Sequence, residues 1–226
     1  MRPVSREGWL ILGLALLKVI IHLATNTNYE LQRDALLYYS LGENPAWGYV
    51  SVPPLIALLA KASTTLLGNT VFALRLLPAL IGGLSVVVIA RIVQMLKGKT
   101  MAIILATTAF IFSPAFLRSN TLFQPVSFNQ FFWLLAGFLL VRMLITQKTH
   151  HWLYIFAILG IAFLNKYSVA FFIVAVLLGL LLTRQRKLLI SRYFFIGGTM
   201  ALLIILPNLI LATRAGYSCP MGTSMS

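Results

Sequence analysis

The chain has 226 residues, 60% of them hydrophobic and only 10% charged, with a mean hydropathy of +0.92 and a formal net charge of +14. A water-soluble domain cannot hide so much apolar surface, and that class is excluded. The cationic excess would suit nucleic acid, but the basic residues are clustered between apolar runs, which argues against that partner.

Apolar runs recur at 9–24, 72–96, 101–117, 131–145, 152–164, 169–182 and 194–211. A spanning helix takes about 20 residues, so several runs reach that length only with flanking residues. The first run is interrupted by Lys18 and His22 and no small-residue cleavage site is clear, so it reads as a retained helix rather than a signal peptide. Arg2 and Arg6 precede it, Arg91, Lys97 and Lys99 lie around the end of the second run, Arg142 and Lys148 around the end of the fourth, and Arg184, Arg186, Lys187 and Arg192 form the densest cluster. Counted from a cytoplasmic N terminus, all four groups fall on the cytoplasmic side. They also attract anionic membrane lipids. The expectation is an all-α polytopic transmembrane helical bundle of about seven spans over residues 1–211, with the polar segment 25–70 as an outer loop.

That loop is too long to be slack. Residues 30–41 predict an amphipathic helix with Leu31, Leu37, Tyr38 and Leu41 toward the membrane and Arg33 and Asp34 toward water. Asn44-Pro45 and Trp47-Gly48-Tyr49 mark a turn. Pro53-Pro54 starts a second helix over 55–67, which Gly68-Asn69 ends. The pair is expected at the membrane interface, with Trp47 and Tyr49 as anchors. Farther on, Ser113-Pro114 ends or kinks the third span, and Asn165-Lys166-Tyr167-Ser168 divides 152–182 into two short spans. After 211 the composition becomes small and polar, so 212–226 is expected to be a disordered or aberrant tail. The lone Cys219 has no partner for an internal disulfide.

Of the four carboxylates, Glu30, Asp34 and Glu43 all lie in the outer loop. Asp34 is the candidate catalytic group. A charged carboxylate at a membrane mouth can accept a proton from a hydroxyl, or hold a divalent metal beside a phosphate. A solvated acid paired with Arg33 is the plainer reading. The outer-side cations are Arg33, Lys61, Arg75, Arg118 and Lys166, which could together meet a phosphate anchored in the outer leaflet. Lys166 interrupts an apolar region, where an ammonium is costly, although a snorkelling lysine explains it as well. Lys18 and His22 share a helical face, open to a proton relay or to plain packing. Gln124, Ser127, Asn129 and Gln130 can hydrogen-bond a sugar or solvate a helix end. No HExxH, Walker loop, GxGxxG or CxxC occurs.

The ordered strings Arg33-Asp34 with Tyr38-Tyr39, Trp47-Gly48-Tyr49 into Pro53-Pro54-Leu55, Arg75-Leu76-Leu77-Pro78, Phe128-Asn129-Gln130 through Trp133, and Leu164-Asn165-Lys166-Tyr167 resemble the GT-C integral-membrane glycosyltransferases. They are most similar to glycosyltransferase family 39, the dolichyl-phosphate-mannose–protein mannosyltransferase-like proteins of bacteria, relatives of the aminoarabinose transferase of lipid A. The resemblance covers about residues 9–210 and implies the N-terminal half of such an enzyme in a bacterial inner membrane. It implies a polyprenyl-phosphate-linked sugar as donor, a lipid, glycan or protein as acceptor, and inverting transfer at the outer face. Asp34 then matches the essential loop aspartate. Arg33, Lys61, Arg75 and Lys166 are the phosphate candidates, with Tyr38 and Asn129 as further substrate contacts. The chain departs from the family in having Ala35 where Asp-Glu is frequent and Asn129 where many relatives carry an aspartate. A transporter or flippase for an anionic lipid or solute, or a non-catalytic remnant, are the alternative readings.

Overall fold

A computed structural model describes residues 5–26, 30–49 and 52–217. Arg2, Cys219, the last nine residues of the tail and the Val50-Ser51 link into the double proline lie outside the described residues. The described residues form ten α-helices and one 3-10 segment, without a strand. They are α1 (Arg6–Thr25), α2 (Arg33–Glu43), α3 (Leu55–Leu67), α4 (Val71–Met95), α5 (Thr100–Phe112), α6 (Pro114–Thr121), α7 (Pro125–Thr146), α8 (His151–Phe163), α9 (Val169–Leu181), the 3-10 segment (Arg184–Ile190) and α10 (Arg192–Tyr217).

Local chemistry sets these boundaries. The Ser5 and Thr70 hydroxyls accept the Gly8 and Ala73 amides and start α1 and α4. α3 ends at Gly68, whose φ of +82° suits a residue without a Cβ. Ser113 closes α5, Pro114 opens α6, and the two helices meet at 59°. α10 runs on past the internal Pro207 and through 212–217, into the stretch expected to be irregular, where alanine favours continuation.

α1, α4, α7 and the Arg192–Leu211 part of α10 are each long and apolar enough to cross a membrane. The bent pair α5–α6 and the pair of α9 with the 3-10 segment, bent by 118°, pass the same test when each pair is taken together. α8 has 13 residues, about 20 Å of helix, and does not span a bilayer core of about 30 Å alone. Large apolar side chains face outward along the long helices, among them Leu12, Leu16, Ile20, Leu202, Leu203 and Leu206. Hydrocarbon accommodates such a surface and water does not, so the protein is an integral membrane helical bundle.

The bundle is closely packed inside. A Cβ on Gly83 would stand 2.6 Å from Val19 Cγ2, so glycine sets the approach of α1 to α4. Gly197 does the same for α10 on Phe156 of α8. The Glu7 carboxylate accepts from Gln94 and Thr100, gathering the start of α1, the end of α4 and the start of α5. Gln147 donates to Gln185, joining the end of α7 to the 3-10 segment. The basic clusters therefore collect at one end of the bundle. The loop acids, α2 and α3 collect at the other.

Candidate active site at the acidic end

Asp34 lies in the first turn of α2, where a negative charge suits the helix dipole. Ala35 and Gly42 form the buried face of α2, and Gly42 sits so close to α3 that a Cβ there would be 2.9 Å from Ala60 Cβ. This seam seats α2 on a core of Ile56, Ala60, Leu74, Phe123 and Phe128 and leaves Asp34 at the water-facing rim. Tyr38, expected on the membrane stripe, lies one turn on from Asp34 and shares its cavity.

Opposite α2 stands the segment between α8 and α9. The Leu164 carbonyl, left over at the end of α8, accepts at 2.9 Å from the Leu55 amide, left over at the start of α3. The fully buried Asn165 donates to the Pro125 carbonyl at 2.8 Å, on the first residue of α7. The segment is thus pinned to two helix N termini, and Lys166 and Tyr167 are delivered to the mouth. Tyr167 reaches Asn208 of α10 at 3.1 Å, and Asn208 donates to the Trp47 carbonyl at 2.8 Å. Sequence reasoning missed Asn208. The signal was available: an asparagine in an apolar span is costly and calls for polar partners.

The result is a cavity of about 380 Å³ lined by Asp34, Tyr38, Gln124, Asn165, Lys166 and Tyr167, among others. Asp34 is not paired with Arg33. Its partner among the described residues is Gln124, whose amide nitrogen donates to Asp34 Oδ2 at 3.1 Å and to Gln32 Oε1 at 3.2 Å. One amide nitrogen carries two hydrogens, so both bonds can form together and leave Asp34 Oδ1 open. Gln124 is thus a tether for the candidate catalytic acid rather than a cap on its own helix. Burial, and secondarily the Asp34 charge, hold the Tyr38 hydroxyl above the usual phenol range, so it remains a neutral donor in neutral water. Lys166 is half-buried and has no side-chain partner among the described residues.

The other candidates lie elsewhere. Arg75, 4% exposed, shares a neighbouring cavity of about 380 Å³ with Arg118, Gln32 and Thr121. Lys61 lines a third, of about 280 Å³, with Tyr39 and Glu43. Arg33 is exposed and Asn129 is buried with its side-chain oxygen unpartnered; neither lines these three cavities. Lys18 and His22 are both buried. Lys18 donates to the Ile111 and Phe116 carbonyls on either side of the α5–α6 break, and His22 Nδ1 meets the Thr121 hydroxyl at 3.1 Å. Lys18 thereby ties α1 to the end of α5 and to α6 across the break. Among the described residues no three His, Cys, Asp or Glu side chains form a metal-ligating group. A single carboxylate among amides and a phenol does not make a protein-held divalent site.

Comparison with known proteins identifies the family. Residues 51–211 match the family model described as dolichyl-phosphate-mannose-protein mannosyltransferase. The chain is 30% identical over 208 residues, 90% of its length, to lipid A galacturonosyltransferase RgtD of Rhizobium johnstonii. It spans 43% of that relative's length. No solved structure matches. The chain belongs to the dolichyl-phosphate-mannose-protein mannosyltransferase family, of the GT-C type of integral-membrane glycosyltransferases.

Proposed function

We propose that this chain carries the catalytic mouth of a membrane glycosyltransferase that takes a sugar from a polyprenyl-phosphate donor and passes it to a lipid, glycan or protein acceptor at the outer face of the membrane. The observation that carries the reading is the convergence of Asp34 and Lys166, from opposite halves of the sequence, on one cavity. Asp34 accepts the acceptor hydroxyl proton as its oxygen attacks the anomeric carbon. The bond from that carbon to the phosphate oxygen breaks on the opposite side, with inversion. The electron pair leaves with the lipid phosphate, and the Lys166 ammonium stabilises the charge that develops there. The neutral Tyr38 hydroxyl donates to a sugar or phosphate oxygen. Gln124 keeps the carboxylate aimed, which saves reorganisation at the moment of reaction.

The name of the Rhizobium relative supports a more specific version, with a galacturonosyl unit as the sugar and a lipid A-like glycolipid as the acceptor. In this reading the N terminus and the basic end face the cytoplasm of a bacterial inner membrane.

The test is transfer of label from a polyprenyl-phosphate sugar in membranes carrying the protein. Asp34→Asn should lower the rate by roughly 10²- to 10⁴-fold, the usual contribution of a positioned general base. Undiminished transfer removes Asp34 from the mechanism. Movement of the labelled lipid across sealed vesicles without bond cleavage supports a flippase instead.

A further inference from the structure

The cavity next to the Asp34 site is built around two guanidinium groups. Arg75 enters it from α4, almost fully buried, with Nη1 donating to the Asn26 carbonyl at 2.5 Å and Nη2 to the Glu30 carbonyl at 2.6 Å. These bonds hold the group in place. Arg118 enters from α6, exposed, and has no hydrogen-bonding or ionic partner among the described residues. Gln32 also lines the cavity, and its side-chain oxygen accepts from Gln124 while its amide nitrogen has no acceptor among the described residues. Thr121 and Leu122 line it as well, and the exposed Glu30 supplies the only carboxylate among the described lining residues. Two cations against one acid leave a net positive site. Two like charges sharing a cavity repel each other, and a bound oxyanion between them removes that repulsion.

The position of this cavity is as telling as its charge. Gln124 separates it from the Asp34–Lys166 cavity, donating to a lining residue of each. We infer that the Arg75–Arg118 cavity is an oxyanion subsite for the acceptor, holding its phosphate or carboxylate group while its hydroxyl reaches Asp34 across the Gln32–Gln124 bridge. This rests on the proposed function, which assigns the donor phosphate to the Lys166 side. An inverting displacement brings the nucleophile in opposite the leaving group, so acceptor and donor phosphate approach Asp34 from different sides. Substrates of matching chemistry are glycolipids bearing a phosphate or an acidic sugar.

Two measurements test the inference. In the first, the detergent-solubilised protein is titrated with a monophosphorylated disaccharide glycolipid, its dephosphorylated form, and a neutral glycolipid carrying one added carboxylated sugar. The charged forms should bind roughly tenfold more tightly than the uncharged form, and added salt should shrink the difference. Arg118→Gln should abolish the discrimination, whereas Asp34→Asn should keep it. The phosphate and carboxylate arms distinguish the two sources of charge. Equal binding of charged and uncharged forms, or discrimination that survives Arg118→Gln, overturns the inference. In the second, steady-state transfer by Arg118→Gln should show a raised KM for the charged acceptor and not for the donor. A rise in the donor KM instead assigns the cavity to the donor and overturns the inference as well. Absence of transfer even in the unaltered protein would sink the catalytic reading, and the binding comparison would then decide this one by itself.

Discussion

Gln124 donates to the Asp34 carboxylate at 3.1 Å across ninety residues of chain. The bond joins the first turn of α2 to the residue just before α7, a helix long and apolar enough to cross a membrane. The candidate catalytic group is therefore aimed by the membrane bundle, not by its own loop. Replacing Gln124 with alanine should lower the turnover number about tenfold through lost positioning. Because the bond is exposed, the cost to stability should stay below about 1 kcal/mol. Gln124→Glu, which sets a like charge beside Asp34, should be worse. Steady-state kinetics paired with thermal unfolding checks this, and an unchanged turnover number in Gln124→Ala would dismiss the tether.

Asn165 is the pin of the Lys166 segment, fully buried and bonded to the Pro125 carbonyl at 2.8 Å. Asn165→Ala leaves that carbonyl without its side-chain donor, at a cost of about 1–3 kcal/mol. The unfolding temperature in detergent should fall, and donor binding should weaken as Lys166 loses its place. A variant of unaltered stability would show that the Leu55–Leu164 bond holds the segment without help.

Gly42 sets the spacing of α2 on α3. A Cβ there would meet Ala60 Cβ at 2.9 Å and the Ala57 carbonyl oxygen at 3.1 Å. Gly42→Ala should destabilise by about 1–3 kcal/mol and reduce transfer by moving Asp34. Adding Ala60→Gly should recover part of both losses. A double-mutant cycle with no coupling between positions 42 and 60 would contradict the close seam.

Tyr38 offers a readout in pH. Its hydroxyl is held above the ordinary value of 10.0, first by burial and then by the Asp34 charge. As pH rises past 10, the unfolded chain releases this proton before the folded one does. The stabilisation it provides is complete below that pH and disappears as pH climbs through the folded value. Phenolate absorbance, taken as the difference between the unaltered protein and Tyr38→Phe, should show a late transition. Asp34→Asn should move the transition down toward the ordinary value without reaching it, because burial remains. A transition that ignores Asp34→Asn would separate the two side chains.

Much of the architecture could be read from residue order. Seven apolar runs became helices, Ser113-Pro114 became a break, and Gly68 ended α3 where its composition said it would. These are local effects of proline, glycine and side-chain polarity, which act over one or two turns. The α2 helix was harder to place. Its apolar pattern suggested a membrane-facing Tyr38, yet the buried seam falls on Ala35 and Gly42, small residues with weak hydrophobic signal. Arg33 looked like the partner of Asp34 because it is adjacent. Neighbours in a helix point in different directions, and Gln124 is the partner instead.

By itself the sequence determined that this is a basic, all-helical membrane protein of the GT-C type, because hydropathy, charge clustering and short ordered strings are properties of the chain in one dimension. It also singled out Asp34 through the scarcity of acids. Only the tertiary structure decided which cations share a cavity with that acid: Lys166 does, Arg75 joins Arg118 next door, and Lys61 stands apart. Those groupings depend on helix-end carbonyls and amides, such as Leu164 with Leu55 and Pro125 with Asn165, finding partners far along the chain. The need for such partners is universal among buried backbone groups, so the residue types alone do not say which ones will meet.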